Sequence, residues 1–267
     1  MFGVIVGLAL GLTGGGGSIF AVPLLIYGLG VAPAAAIAIS LIAVAATAAT
    51  GAVEGMVRGV VELRAALILA VAGMLSAPLG VWLNGMASDQ IIVLTFAMLM
   101  LVVAVRMLIR ARGMPEQARI VRSRIADDAL ADRGTVCRYA RDGRLRLNAP
   151  CSAALVVAGL AVGGLSGFFG VGGGFLIVPA LVSITEMGIH RAVSTSLLVI
   201  TLVGVSGVVS TIVAGRSIDW ALAGLFIAGG LLGILGGRLL ARRLAGATLQ
   251  TVFAVAMLVI AAFMLLR

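Results

Sequence analysis

Two glycine clusters, each followed by a proline, are the residues of this chain best placed to do chemistry. The first is Gly14, Gly15, Gly16 and Gly17, with Pro23 beyond it; the second is Gly170, Gly172, Gly173 and Gly174, with Pro179 beyond it. Successive glycines are poor helix formers, so each cluster should interrupt a helix. An interruption leaves unpaired N–H groups at the start of the half-helix that follows. Those groups, with the helix dipole, attract anions. Each proline lacks an N–H and can kink the chain or free a carbonyl. The chemistry expected is therefore binding of a small anion by backbone amides, with no catalytic residue.

Hydroxyls stand around these clusters. Thr13 and Ser18 flank the first and Ser166 precedes the second, while Ser40 and the run Ser194, Thr195, Ser196 start the segments that follow. A hydroxyl can donate to an anion without carrying charge into an apolar medium. It can equally bond to a carbonyl of its own helix, and that alternative stands for each of them. The expected substrate-binding set is the eight cluster glycines with Ser18, Ser40, Ser194, Thr195 and Ser196. His190 and Arg191 precede the Ser-Thr-Ser run and are expected at a mouth, either drawing anions in or anchoring a helix end.

The elements that must hold such residues are membrane helices. The 267 residues are 62% hydrophobic and 11% charged, with a mean hydropathy of +1.23. Soluble domains are nearer 45–50% apolar and about 25% charged. A soluble enzyme, a nucleic-acid binder and a disordered tail are excluded, although the net charge is +9. Spans are expected at 2–28, 34–53, 65–86, 90–109, 151–185, 192–214, 218–240 and 247–266, each at least the roughly 20 residues that cross a hydrocarbon core. The first and fifth carry the glycine interruptions. The first ten residues have no basic region, so the N-terminus is expected to run straight into the membrane.

Charge is concentrated in one place. All 19 basic residues are arginine, and nine lie in 111–150 beside five acids, a local net charge of +4. This segment is expected to be a cytosolic linker by the positive-inside rule. Cys137 and Cys151 are too few for a disulfide framework or a metal site, and are expected in the reducing cytosol. No carboxylate falls deep in a span. A buried acid is the usual proton or sodium relay, so its absence favours export or facilitated flux over coupled uptake.

The chain also reads as a duplication. Residues 11–25 are GLTGGGGSIFAVPLL and residues 167–181 are GFFGVGGGFLIVPAL, an offset of 156 that places Gly14 opposite Gly170 and Pro23 opposite Pro179. The same offset pairs 36–41 with 192–197. An offset of 157 then pairs Glu62 with Asp219, Gly73 with Gly230 and Gly80 with Gly237. Two halves, 1–110 and 151–267, are expected to flank the linker 111–150. Interrupted segments at matching places in two halves are the sequence pointer to a transporter site. Two further glycine rows, Gly3, Gly7, Gly11 and Gly229, Gly233, Gly237, read as helix-packing surfaces.

The pattern G-x-x-G-x-G-G-G at 167–174, closing on Pro179 and followed by HRAVSTSL at 190–197, resembles the sulfite exporter TauE/SafE family. A degraded copy at 11–23 and 36–41 extends the resemblance over both halves. It implies an all-α, multi-pass permease of about eight segments in a bacterial-type inner membrane. It also implies a small sulfur-containing anion as substrate, such as sulfite, sulfoacetate or a related organosulfonate. The 111–150 linker is longer than the short central connection of that family.

Two topologies follow. Eight full crossings give parallel halves with both termini inside. Two re-entrant glycine hairpins give inverted halves with both termini outside, and leave only Arg216 and Arg267 on the outer face; this second arrangement is preferred. Other functions compete with transport. Ser166, in Gly-Leu-Ser-Gly, resembles the serine of rhomboid intramembrane proteases, but the one histidine, His190, lies before a span. A membrane scaffold acting through the basic linker is the other alternative. No G-x-x-x-x-G-K-[ST] is present, so no nucleotide cofactor is expected. A homodimer is left open.

Overall fold

The computed structural model describes residues 2–13, 16–113, 137, 148–185, 187–215, 218–241 and 246–266. Apolar runs fold as helices throughout: α1 Phe2–Thr13, α2 Ala21–Leu29, α3 Pro33–Val57, α4 Leu63–Met86, α5 Asp89–Gly113, α6 Ala149–Phe169, α7 Gly174–Ile184, α8 Ile189–Val213, α9 Trp220–Ala241 and α10 Gly246–Leu266. A 3-10 turn, Gly16–Phe20, joins α1 to α2. Among the described residues there is no β-strand, only an isolated bridge between Cys137 and Thr185.

Six helices (α3, α4, α5, α6, α8 and α9) are long and apolar enough to cross a membrane. At about 1.5 Å per residue, the 25 residues of α3 or α8 reach about 37 Å. The outer face of α4 carries Leu67, Val71, Leu75, Leu79 and Trp82, all exposed. A soluble protein seldom shows such a continuous apolar face. The protein is an all-α polytopic membrane protein. The interrupted segments expected at 2–28 and 151–185 are each two helices, α1 with α2 and α6 with α7.

The chain divides into two compact units. One holds Met1–Asp89 with Thr135–Leu239; the other holds Gln90–Gly134 with Leu240–Arg267. In the smaller unit α5 buries Ile92, Phe96, Met100 and Val103, and α10 buries Ala254, Met257, Ala261 and Met264. These three- and four-residue spacings place one apolar stripe on each helix inward.

In the larger unit, glycine sets the helix spacing. A Cβ at Gly3 would meet the backbone of Phe226, at Gly7 that of Gly230, and at Gly11 that of Ile234. The residue numbers rise together, so α1 and α9 run parallel. Likewise Gly159 faces Leu69, Gly163 faces Gly73 and Gly167 faces Ala77, so α6 and α4 run parallel. The rows read as packing surfaces are packing surfaces. The two registers are related by the sequence offsets: adding 156 on α1 gives the α6 residues, and subtracting 157 on α9 gives the α4 residues.

α3 and α8 cross this unit side by side in opposite directions, with Gly55 beside Ser194 and Ala45 beside Gly204. α4 runs with α8: the Glu62 N–H donates to Thr195 Oγ1 near one end, and Ser206 Oγ donates to the Met74 carbonyl further along. α9 turns back against α8. Gly230 touches Thr47, level with the middle of α8, and the seven residues from Val213 to Trp220 span at most about 25 Å.

Cys137 and Cys151, expected in a reducing compartment, form a disulfide, with 4.9 Å between their Cα atoms. The Cys137 N–H donates to the Ile184 carbonyl at 3.0 Å, so Cys137 lies against the end of α7 and the disulfide ties that end to the start of α6. That link was not visible in a pair of cysteines 14 residues apart.

Candidate functional site

The second glycine cluster breaks the helix as its composition demands. α6 stops at Phe169, and Gly170, Gly172 and Gly173 take φ values of +69°, +66° and +65°. L side chains rarely adopt that region. Gly170 caps α6 through its N–H to the Ser166 carbonyl. The carbonyl of Phe168, left over at the helix end, accepts from Asn84 Nδ2 of α4 at 2.8 Å. Gly173 then starts α7 without a side-chain cap, and its carbonyl accepts from the N–H groups of both Leu176 and Ile177. The amides of Gly174 and Phe175, ahead of those two bonds, are the first-turn donors that an acceptor outside the helix would have to meet.

The break sits against the middle of the α3–α8 pair. A Cβ at Gly172 would lie 2.8 Å from Val44 Cγ1 and 3.1 Å from Ile200 Cγ2. Val44 and Ile200 are each the twelfth residue of a 25-residue helix, and they are mates at the 156 offset. A Cβ at Gly170 would meet Ile37, and one at Gly173 would meet Val162 and come within 3.6 Å of the Ser166 Cβ. Helix ends in apolar surroundings hold their partial charge with little screening. What the arrangement offers is a positive half-helix terminus against the middle of the α3–α8 pair.

The hydroxyls divide by what they already hold. Ser40 Oγ, buried, donates to the Gly170 carbonyl at 2.6 Å and to the Ile37 carbonyl at 2.9 Å. Its one proton therefore fastens the break to α3. Ser196 Oγ donates to Val193, and Thr195 Oγ1 accepts from Glu62. Ser194 packs on Gly55. Ser18 is fully buried beside Ile19 in the 3-10 turn. Gly17 presses on Ala9 and Leu10 of α1. Gly14 and Gly15 lie outside the described residues, as do the side chains of Thr13, Gly16 and His190.

Arg191 stands in the first turn of α8 with its guanidinium 3.6 Å from the Glu62 carboxylate. Its charge is paired across to α4. Sequence reasoning missed three partnerships here: Glu62 with Arg191, Asn84 with the end of α6, and Cys137 with Cys151. It named Ser166 beside the second cluster and as a protease-like serine but left it out of the binding set; its Oγ is the one buried side-chain polar atom among the described residues without a hydrogen-bond partner.

A helical membrane protein whose spans enclose a broken helix has the build of a membrane transporter. Residues 1–264 match the family described as Sulfite exporter TauE/SafE, and the chain belongs to that family. It is similar to a "Probable membrane transporter protein" of Xylella fastidiosa (strain 9a5c), 38% identical over 99% of this chain and 93% of that protein. It is also similar to the "Probable membrane transporter protein YunE" of Bacillus subtilis (strain 168), 24% identical over 97% of this chain and 93% of that protein. No solved structure matches. The protein is a membrane transporter and not an enzyme; the protease and scaffold alternatives find no support among these relatives.

Proposed function

We propose that this transporter moves small sulfur-containing anions, such as sulfite, sulfoacetate or related organosulfonates, across a bacterial-type inner membrane. The observation that carries the reading is the uncapped start of α7. Three glycines in left-handed conformation deliver it to the centre of the α3–α8 pair. Backbone amides and the helix dipole suit a sulfur oxyanion's several acceptor oxygens. The family name supplies the element sulfur; the geometry supplies the preference for an anion.

Direction follows from charge. The inside-negative potential is worth about 2.3 kcal/mol per charge per 100 mV and pushes anions outward. The described acids Glu54, Glu62, Asp89 and Asp219 all stand at or near helix ends, so none of them is placed as a relay for uptake. Export or facilitated flux is the economical mechanism.

The helix directions support inverted halves. α1 and α3 of the first half run together against α4, while α6 and α8 of the second run with α4 against α9. In such an arrangement α1 with α2, and α6 with α7, are re-entrant pairs, and the two breaks approach the centre from opposite faces.

The test is flux of labelled sulfite, sulfoacetate and thiosulfate in proteoliposomes, with pH and voltage varied separately. The expected result is saturable, voltage-sensitive movement of at least one of them. Movement of none, by protein that is folded and inserted, refutes the reading.

A further inference from the structure

The two breaks are not equivalent, and one of the pairs in which they differ stands beside a helix start. At the 156 offset Gly17 corresponds to Gly173, and Leu10 to Ser166. In the first break Gly17 is pressed onto Ala9 and Leu10, and Leu10 is completely buried. In the second, Gly173 stands beside Ser166, which is 1% exposed and whose hydroxyl has no partner among the described residues. Other hydroxyls in helices of this unit, those of Thr47, Thr201, Ser210 and Thr211, donate to a carbonyl three or four residues back. Ser166 does not, and its Cβ lies 3.6 Å from where a Cβ on Gly173, the residue before α7, would stand. A buried polar atom left unpaired costs stability, so its place there points to a ligand that pairs it.

We propose that Ser166 and the first amides of α7 bind one monoanionic sulfur oxyanion, a site without a serine counterpart at the first break, where Leu10 takes its place. This rests on the transport reading above and narrows it to one site and one charge state. The neighbours of the break (Ile37, Ser40, Val44, Val162, Ser166 and Ile200) are all uncharged. A site without a cation offsets the desolvation of one negative charge far more readily than of two, because that cost rises with the square of the charge. A sulfonate with one charge and a small apolar group fits; sulfate does not, and of the anions proposed above sulfoacetate with its carboxylate ionised does not either.

The experiment uses the purified full chain and reads its melting temperature with methanesulfonate, sulfate or chloride at constant ionic strength. Binding to the folded state alone raises the melting temperature. Methanesulfonate should stabilise the wild type and sulfate should not. Ser166→Ala should melt at or above the wild-type temperature without ligand, since it removes an unpaired hydroxyl, yet need about tenfold or more methanesulfonate for the same shift. Leu10→Ala should melt lower but keep the methanesulfonate dependence.

An unchanged methanesulfonate response in Ser166→Ala overturns the proposal, as does a wild type that methanesulfonate fails to stabilise. A Ser166→Ala protein that melts well below wild type overturns it too, since the hydroxyl would then be structural. A sulfate shift equal to that of methanesulfonate overturns the charge assignment. Wild-type sulfite flux, measured separately, keeps the outcomes distinct: flux without methanesulfonate stabilisation leaves transport standing and removes this site.

Discussion

Gly163 of α6 and Gly73 of α4 meet backbone to backbone: a Cβ on Gly163 would collide with the Gly73 carbonyl and Cα. The contact joins the two halves of the sequence. Its offset mate, Gly7 against Gly230, joins α1 to α9 in the same way. In lipid there is no water to drive helices together, so such close approach and the dispersion it brings are what hold the spans.

Gly163→Ala should therefore cost roughly 2 kcal/mol or more, because the obstacle is backbone and cannot rotate away. Gly224→Ala on α9, where a Cβ meets nothing within 4 Å, should be neutral or stabilise by about 0.5–1 kcal/mol. Thermal unfolding of the two variants in one detergent measures the contrast. Equal stabilities would remove glycine packing as the reason for the rows.

Gly172→Leu should abolish flux while the protein still reaches the membrane. The side chain would be strained at φ +66° and would meet Val44 and Ile200. Both neighbours are aliphatic side chains on helices with other anchors, so the damage stays at the break. Flux in proteoliposomes and the yield of monodisperse protein are the paired readouts. Retained flux would end the idea that this break lines the path.

How far these features were legible depends on sequence distance. The breaks were visible because GGGG and GVGGG contradict helix propensity locally, and the spans were visible because twenty apolar residues need no partner to be recognised. The packing rows showed in a four-residue glycine spacing. The role of Ser40 did not show: its acceptor, Gly170, is 130 residues away. Ser166 stood out only as a protease-like serine, and it is the backbone turning at Gly173 that brings this unpaired group close to a helix start. Asn84 was unremarked for the same reason, since its acceptor Phe168 lies 84 residues on.

The Cys137–Cys151 disulfide closes a loop with a sequence separation of 14. A loop of that size is worth up to about 3 kcal/mol through the unfolded state. Reductant, or Cys137→Ser, should lower the melting temperature by several degrees and free the Ile184–Thr185 stretch that Cys137 pairs with. Hydrogen exchange at Thr185 before and after reduction reads the second effect. No change in either would leave the disulfide without a structural role.

The Glu62–Arg191 pair should contribute little to stability. Arg191 is 41% exposed at the side chain and the separation is 3.6 Å. Glu62 is 11% exposed, so water screens the pair from the arginine side, and at this separation the coupling should be about 1 kcal/mol. A double-mutant cycle with Glu62→Gln and Arg191→Gln isolates the term. A coupling of several kcal/mol would mean that the pair is desolvated in the working protein.

That same pair fixes which ends share a face, and so leads to the topology. Glu62 opens α4 and Arg191 opens α8, so the start of both helices, and the α3–α4 turn with Arg58, lie at one level. α6 runs parallel to α4, which puts its start, with Cys151 and its partner Cys137, on that face as well, where the arginine-rich stretch of sequence joins the helix. The opposite face receives the α8–α9 turn at Ala214. The positive-inside rule makes the arginine-rich face cytosolic, whereas a lasting disulfide is more at home outside. Nine linker arginines with Arg58, Arg64 and Arg191 weigh more than one cysteine pair, whose bond can be transient in the cytosol. In a background of Cys137→Ser and Cys151→Ser, a membrane-impermeant maleimide applied to intact cells should label Ala214→Cys and spare Arg58→Cys. Both positions are exposed, so access decides the result. The reverse labelling would turn the molecule over, place the disulfide in the oxidising compartment, and make the linker an exception to the charge rule.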